Sequence, residues 1–377
     1  MPSRPDASVI SSELLDRTGR LPDPLTLNAR NIGACPRNVI CSRATTPADC
    51  LRWSPMKAFF VTSVITLMAS QAFAQTPDPM PASTRATATG EANLSTPTGH
   101  EVSGGLASYT YREPGNQAIS IHAPKFVADY TGTLAVDRTR HWFAQADVRG
   151  SVGQATYNGW CSPFLITPDS SSPNGYALDI GDASPCDESG DQDWYLEARG
   201  LTGKDLIGEH WGWSPYTGLG LRHLSNGTNG VSGYRTDDYL YLPLGMTART
   251  SVASHGALSL NVEYDLLLHG WQKTRDSELG GGLIPATDTA PAFTLDGFSD
   301  ISFSQSGGWA LRASAKYPVT SRFSVEPYYV HWNVTASPVN SETATFTVNG
   351  ITVQQQVGAY EPDNSTNEFG VRLGFHF

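Results

Sequence analysis

Phe369-Gly370-Val371-Arg372-Leu373-Gly374-Phe375-His376-Phe377 closes the chain and decides the reading of its architecture. Phe369, Val371, Leu373, Phe375 and Phe377 alternate with Gly370, Arg372, Gly374 and His376. A period of two marks a strand with one apolar and one polar face. In a soluble sandwich the apolar face would be core. In a transmembrane barrel it faces lipid, and the polar face lines the lumen. A soluble protein would rarely join this ending to a secretion signal upstream, so the sequence predicts the barrel.

Working back from the C-terminus, the same alternation recurs. In Ala257–Gln272, the residues Leu258, Leu260, Val262, Tyr264, Leu266 and Leu268 oppose Ser259, Asn261, Glu263, Asp265 and His269. Trp142, Ala144, Ala146, Val148 and Val152 oppose Gln145, Asp147 and Arg149. Trp309, Leu311, Ala313, Ala315 and Tyr317 oppose Arg312, Ser314 and Lys316. Ten strands are expected, at 102–112, 125–137, 142–157, 192–203, 214–225, 237–250, 257–272, 307–317, 323–335 and 367–377. The weak alternation of the first two leaves eight or twelve open. Short connections (138–141, 204–213, 251–256, 318–322) alternate with mostly long ones (158–191, 226–236, 273–306, 336–366). An up-and-down barrel with both termini in the periplasm and long loops outside has this pattern. The predicted class is therefore all-β, a single antiparallel up-and-down transmembrane barrel over 101–377. Its terminal strand resembles the C-terminal signal read by the barrel-assembly machinery, with Phe377 as the anchor, and the resemblance implies that machinery as a partner.

Composition agrees with export. Charged residues are 16% of the chain, against about a quarter for an ordinary soluble protein. Only one segment resembles an apolar span. It begins at Met56-Lys57, runs apolar from Ala58 to Met68, and ends in Ala72-Phe73-Ala74 before Gln75. That is the layout of a secretory signal peptide, residues 56–74, so the mature chain is expected to start near Gln75. Residues 1–55 are expected to be a misassigned start or a disordered leader, and 75–100 a flexible periplasmic segment. Cys35, Cys41 and Cys50 fall in the leader with no zinc-like spacing, whereas Cys161 and Cys186 form an even pair in an exported chain and are expected to be disulfide-bonded. From Gln75 onward the chain carries 17 Lys and Arg against 31 Asp and Glu, a balance that argues against nucleic acid as a partner.

The inward positions carry both signs: Asp147, Arg149, Glu197, Arg199, Glu263, Asp265, Arg312, Lys316, Glu326 and Arg372. A ten-stranded lumen is only a little wider than side chains can fill. Buried charges must pair or stay hydrated, so these are expected to form an ion-pair network, with a narrow charged channel as the alternative. Trp160, Tyr239, Tyr241, Tyr328, Tyr329 and Trp332 lie near predicted strand ends and are expected to form the outer interfacial girdle. No glycine-rich phosphate loop or metal-spaced His/Cys cluster is seen, and no cofactor is expected.

Two local strings could carry chemistry. His223-Leu224-Ser225-Asn226, with Asp237-Asp238 opening the next strand, resembles the His-x-Ser-Asn segment of the outer-membrane lipid A 3-O-deacylases. That resemblance implies an acyl-hydrolase triad of His223, Ser225 and Asp238, although that family has eight strands and a glutamate as its third member. Residues i and i+2 share a strand face, and this pair has the lipid-facing parity of Leu219 and Leu221. The size, strand count and loop pattern, with Asp191-Gln192-Asp193-Trp194, resemble the omptins, ten-stranded outer-membrane proteases that activate water with an Asp pair and an Asp-x-His pair. Here Asp276-Ser277-Glu278 offers no histidine as general base. The sequence reading is thus an integral protein of the Gram-negative outer membrane, in contact with lipid and lipopolysaccharide. Its role is read as structural or interactive, with a lipid A acyl-ester hydrolase or a narrow channel as alternatives.

Overall fold

The computed structural model describes residues 94–114, 119–226, 234–252 and 256–377. The expectations for the leader, its cysteines, the signal segment 56–74, Gln75 and residues 75–93 lie outside them.

In chain order the strands are β1 Gly99–Glu113, β2 Ile119–Asp137, β3 Trp142–Cys161, β4 Phe164–Pro168, β5 Tyr176–Ile180, β6 Ser184–Lys204, β7 Leu206–Ile207, β8 Trp211–Asn226, β9 Tyr234–Val252, β10 Gly256–Arg275, β11 Gly282–Ile284, β12 Phe293–Phe298, β13 Ile301–Gln305, β14 Gly308–Pro318, β15 Phe323–Val334, β16 Asn340–Val348, β17 Ile351–Ala359 and β18 Asn364–His376. Ten of them close an antiparallel barrel in the order β1-β2-β3-β6-β8-β9-β10-β14-β15-β18, with β18 returning to β1. Every expected strand is present. β3 and β6 run on past the expected ends, to 20 and 21 residues, where about 9–11 tilted residues cross a bilayer. Their ends are tied by the disulfide between Cys161 and Cys186.

One rim of the barrel, the terminal rim, holds Gly99 and Phe377, joined by hydrogen bonds between His100 and Phe377 backbones. The far rim carries the long connections. Along the wall, alternation sends Leu106, Phe126, Leu219, Val262, Phe369 and Leu373 outward into exposure. Polar and aromatic side chains of the opposite parity fill the inside. Buried polar groups inside and bare leucines outside invert the rule of a water-soluble fold.

Two expectations about facing are corrected. His269 was placed on the lumen face, but β10 carries an irregularity between Leu267 and His269. An extra residue there switches parity, and His269 lies beside the exposed Trp271, ring centroids 4.3 Å apart. Of the six residues expected in the interfacial girdle, Tyr239, Tyr241, Tyr328 and Trp332 are instead buried in the barrel interior. In β9 the leucines at 240, 242 and 244 take the outward parity, so the tyrosines between them must point in. Exposed rings do mark the terminal rim, from Trp142, Trp211, Trp213, Tyr317, Phe323 and Phe377.

Beyond the far rim the long connections fold into a head. β11, β12, β16 and β17 form a four-stranded antiparallel sheet, and β4 and β5 a separate hairpin. The hairpin donates Ile166 and Leu178 to a core with Phe293, Leu295, Ala344, Phe346, Val348 and Val357. Gln355 on β17 uses its amide as a surrogate strand, accepting from Leu178 N at 2.8 Å and donating to Leu178 O at 2.9 Å. β16 turns into β17 at Asn349-Gly350, both at positive φ, the pairing that two-residue hairpins favour.

At the other end, the last part of the stretch expected to be flexible is held. Leu94 and Thr96 are buried, and Thr96 donates from N to Asp205 Oδ2 at 2.9 Å and from Oγ1 to Asp205 Oδ1 at 2.6 Å.

Candidate functional site

Three places bring reactive groups together: the outer wall near the far rim, the lumen, and the junction of lumen and head. On the outer wall, His223 on β8 stands directly opposite Asp238 on β9. Its Nδ1 lies 2.6 Å from Asp238 Oδ1, and the ring tilts against Trp194 of β6 at 5.2 Å. Ser225 keeps the same parity, opposite Thr236. Its side chain is fully buried, and its hydroxyl is hydrogen-bonded to that of Tyr234. The structure therefore brings together His223 and Asp238 and engages Ser225 with a tyrosine.

The lumen is a ladder of charges stacked on aromatic rings. Arg312 is its centre. It grips Glu197 with both terminal nitrogens at 2.8 and 2.9 Å, and its Nε lies 2.6 Å from Asp265 and 3.1 Å from Glu263. Arg199 joins Glu263 at 2.6 Å to Asp147 at 2.8 Å. Nearer the terminal rim, Asp129 accepts from Arg149 at 2.5 Å and Arg372 at 2.7 Å, and Arg372 reaches Glu326 at 3.0 Å. Lys316 pairs with Glu101. A planar guanidinium suits these bidentate, multi-acceptor sites.

Toward the far rim the ladder continues through Asp193 and through Lys125 and Arg222, which the sequence reading missed. Asp193 is buried and ion-paired with Lys125, whose ammonium sits 3.6 Å from the Tyr109 ring centroid. Arg222 lies over Tyr195 at 4.5 Å and Trp332 at 5.4 Å. The acidic string that resembles the omptin motif thus contributes Asp193 to an ion pair. Inward parity on β2 would have revealed Lys125 and Asp129, but Ile121, Ala123 and Val127 share that face and blur the pattern.

At the junction, Glu361 follows β17 and enters the top of the barrel. It accepts from Arg235 at 3.2 Å and Gln272 at 2.9 Å. Burial pushes its carboxyl up to about 8, with Arg235 pulling the other way. Its backbone is clasped to Ser337 in both directions. In the head, Glu342 is likewise raised to about 8, by burial first and then by the neighbouring Asp276 carboxylate.

Below the ladder, facing the terminal rim, lies a cavity of about 550 Å³ bordered by Thr96, Pro97, Glu101, Asp147, Arg249 and Lys316 among others. No group of three or more His, Cys, Asp or Glu among the described residues has the geometry of a metal site. No helix among them is long and apolar enough to cross a membrane, which says nothing of strands.

Fold and wall together define the class: a closed antiparallel β-barrel with an apolar exterior and a polar interior. No protein-family model matches the chain, and no curated protein does. Among solved structures it is similar to the outer-membrane protease OmpT from Escherichia coli, with 12% identity over 75% of this chain and 98% of that one, at a TM-score of 0.41. It is also similar to the translocator domain of the autotransporter NalP from Neisseria meningitidis (10% identity, 84% and 98% covered, TM-score 0.30). A third is the attachment invasion locus protein Ail of Yersinia pestis (11% identity, 74% and 100% covered, TM-score 0.24). These neighbours are outer-membrane β-barrels.

Proposed function

We propose that this chain is an integral outer-membrane barrel whose lumen is closed and whose work is done by the head it displays outside the cell. The terminal rim then faces the periplasm, and the apolar wall meets lipid and lipopolysaccharide. Phe377 is exposed at that rim, within reach of the assembly machinery proposed as its partner. The observation that carries the reading is the head itself. Loops that merely joined strands would be short and polar, yet these build a sheet over a core of Phe293, Phe346 and their neighbours. A barrel filled by Arg312 and its four-way grip leaves interaction, rather than transport, as the role. The test is single-protein conductance in planar bilayers. The folded parent should give no steady steps. Reproducible steps would refute the closed lumen and favour the narrow channel.

A second reading rests on one contact. His223 held by Asp238 through Nδ1 is how acyl hydrolases orient their base, and the pair lies on the wall where lipid would be. For hydrolysis Ser225 must exchange Tyr234 for His223 and attack an acyl ester of lipid A. Release of fatty acid by the parent but not by Ser225→Ala would support this reading, and no release by the parent would discard it.

A further inference from the structure

The cavity at the terminal rim is crossed by a piece of the chain's own backbone. β1 starts at Gly99, beside β18 and β2. Just upstream, Thr96 is fastened to Asp205 and Ser214, in the β6–β8 turn and on β8. On the ring β1 and β8 are separated by β2, β3 and β6, so the two attachments lie nearly opposite one another. A residue of extended chain spans roughly 3.3–3.6 Å, and Thr96, Pro97 and Thr98, which form no helix, bend or strand, make the crossing. Thr96 and Pro97 border the cavity they pass over.

The anchorage is built, not incidental. Asp205, Ser214 and Arg249 are all buried. Ser214 donates to Asp205 at 2.5 Å and accepts from Arg249 at 2.5 Å, so the carboxylate that receives both Thr96 bonds is already oriented. Leu94 is seated against β8 where only glycine leaves room: a Cβ on Gly212 would stand 2.1 Å from the Leu94 carbonyl oxygen. Gly212 carries no positive φ to require glycine for backbone reasons. Between the two holds, Pro97 and Thr98 are exposed and unburdened by core packing. A short segment outside the strand ladder, held at Thr96 and Leu94 among its contacts, can leave without disturbing the barrel strands.

We propose that Leu94–Thr98 is a latched strap over a blind vestibule in the lumen, with Asp205 as its catch and Gly212 as its seat. Closed, it lies across the mouth of the vestibule and narrows it toward the compartment at the terminal rim. Released, it exposes the charged wall of Glu101, Asp147, Arg249 and Lys316 to whatever enters from that side.

The test uses a thiol inside the vestibule. Ser103 lines the cavity. In full-length Ser103→Cys protein with Cys35, Cys41 and Cys50 changed to serine, the rate of reaction with a charged methanethiosulfonate reagent reads access. Two strap variants act through different atoms: Thr96→Val removes the hydroxyl from Asp205, and Gly212→Val crowds out Leu94. Thr96→Val should speed labelling about tenfold, the population shift expected from losing one hydrogen bond to a charged group, and Gly212→Val should speed it in the same direction. Gly200→Ala is the control, since a Cβ there meets nothing within 4 Å, and it should label at the parent rate. Heat-modifiable mobility reports that each variant is folded. Equal rates in the parent and in whichever strap variants fold would overturn the proposal, as would a parent that labels as fast as an exposed thiol.

Discussion

The barrel and the head solve the same problem with opposite materials. Inside the barrel, the buried centre is Arg312 with Glu197, Glu263 and Asp265, while leucines stand bare on the wall. Inside the head, the buried centre is Phe346, Phe293 and Leu295, and the opposite sheet face carries Thr343, Thr345, Thr347, Thr352, Gln354 and Gln356. One chain changes its rule of inside and outside at the far rim. A change of solvent there is the simplest physical cause: hydrocarbon around the barrel, water around the head. The two interiors should therefore fail differently.

The largest effect is expected from Arg312→Ala. It takes the bidentate grip from Glu197 and the cation from Asp265, leaving Glu263 to Arg199, and breaking a buried pair on one side costs about 3–5 kcal/mol. Urea unfolding in liposomes, followed by heat-modifiable gel mobility, should show the loss in the barrel while protease resistance of the head changes little. Phe346→Ala is the mirror experiment. A phenylalanine emptied from an apolar core costs about 3–4 kcal/mol, here felt in the head alone. Protease cuts should appear between residues 282 and 359, with the barrel's gel shift intact. Coupled failure of both regions in either variant would break the contrast.

How much of this was readable without coordinates differs between the two regions. The ten barrel strands were legible because each must alternate across its whole length, and a one-residue slip would turn Leu260, Val262 and Leu266 inward together. The lumen ladder was half legible. Arg312, Glu263 and Asp265 face leucines and valines of opposite parity, and Asp147, Arg149, Glu197, Arg199, Lys316, Glu326 and Arg372 were named with them, but the apolar inward residues of β2 hid Lys125 and Asp129. The His223–Asp238 contact followed from a resemblance, yet nothing in the string foretold that Tyr234 would take the Ser225 hydroxyl. The head was read as plain loops. Its signal was present in Ala344-Thr345-Phe346-Thr347-Val348, Asn349-Gly350 and Ile351-Thr352-Val353, a hairpin pattern whose apolar side matched a core rather than lipid. Alternation alone does not say which solvent surrounds it.

A smaller effect sharpens the contrast at the terminal rim. Phe377 is exposed and touches mainly the rings of His100 and Phe375, so Phe377→Ala should cost under about 1 kcal/mol of folded stability. Its expected phenotype is less folded barrel in outer-membrane fractions, as the proposed role of Phe377 in assembly requires, and His376→Ala should be mild. Parent levels of membrane-embedded barrel in Phe377→Ala would remove the terminal residue from the sorting reading.

The last effect is a pH dependence read in the head. The folded head holds the Glu342 proton more tightly than an unfolded chain does, since its carboxyl rises from the ordinary 4.5 to about 8. The sign follows from linkage: head stability falls as pH rises between those values and levels off above them. Hydrogen exchange in β16 should therefore quicken from pH 5 to pH 8 after correction for intrinsic rates, and Glu342→Gln should flatten the trend. A flat profile in the parent would contradict it.

The central claim, that lipid meets the barrel wall and water meets the head, is tested most directly by nitroxides at Leu219 and Gln354 in liposomes. Both sites are exposed, one on the wall and one on the head sheet. The account predicts that a label at Leu219 collides mainly with oxygen and one at Gln354 mainly with a water-soluble nickel chelate. A Leu219 label as open to the nickel chelate as the Gln354 label would contradict it.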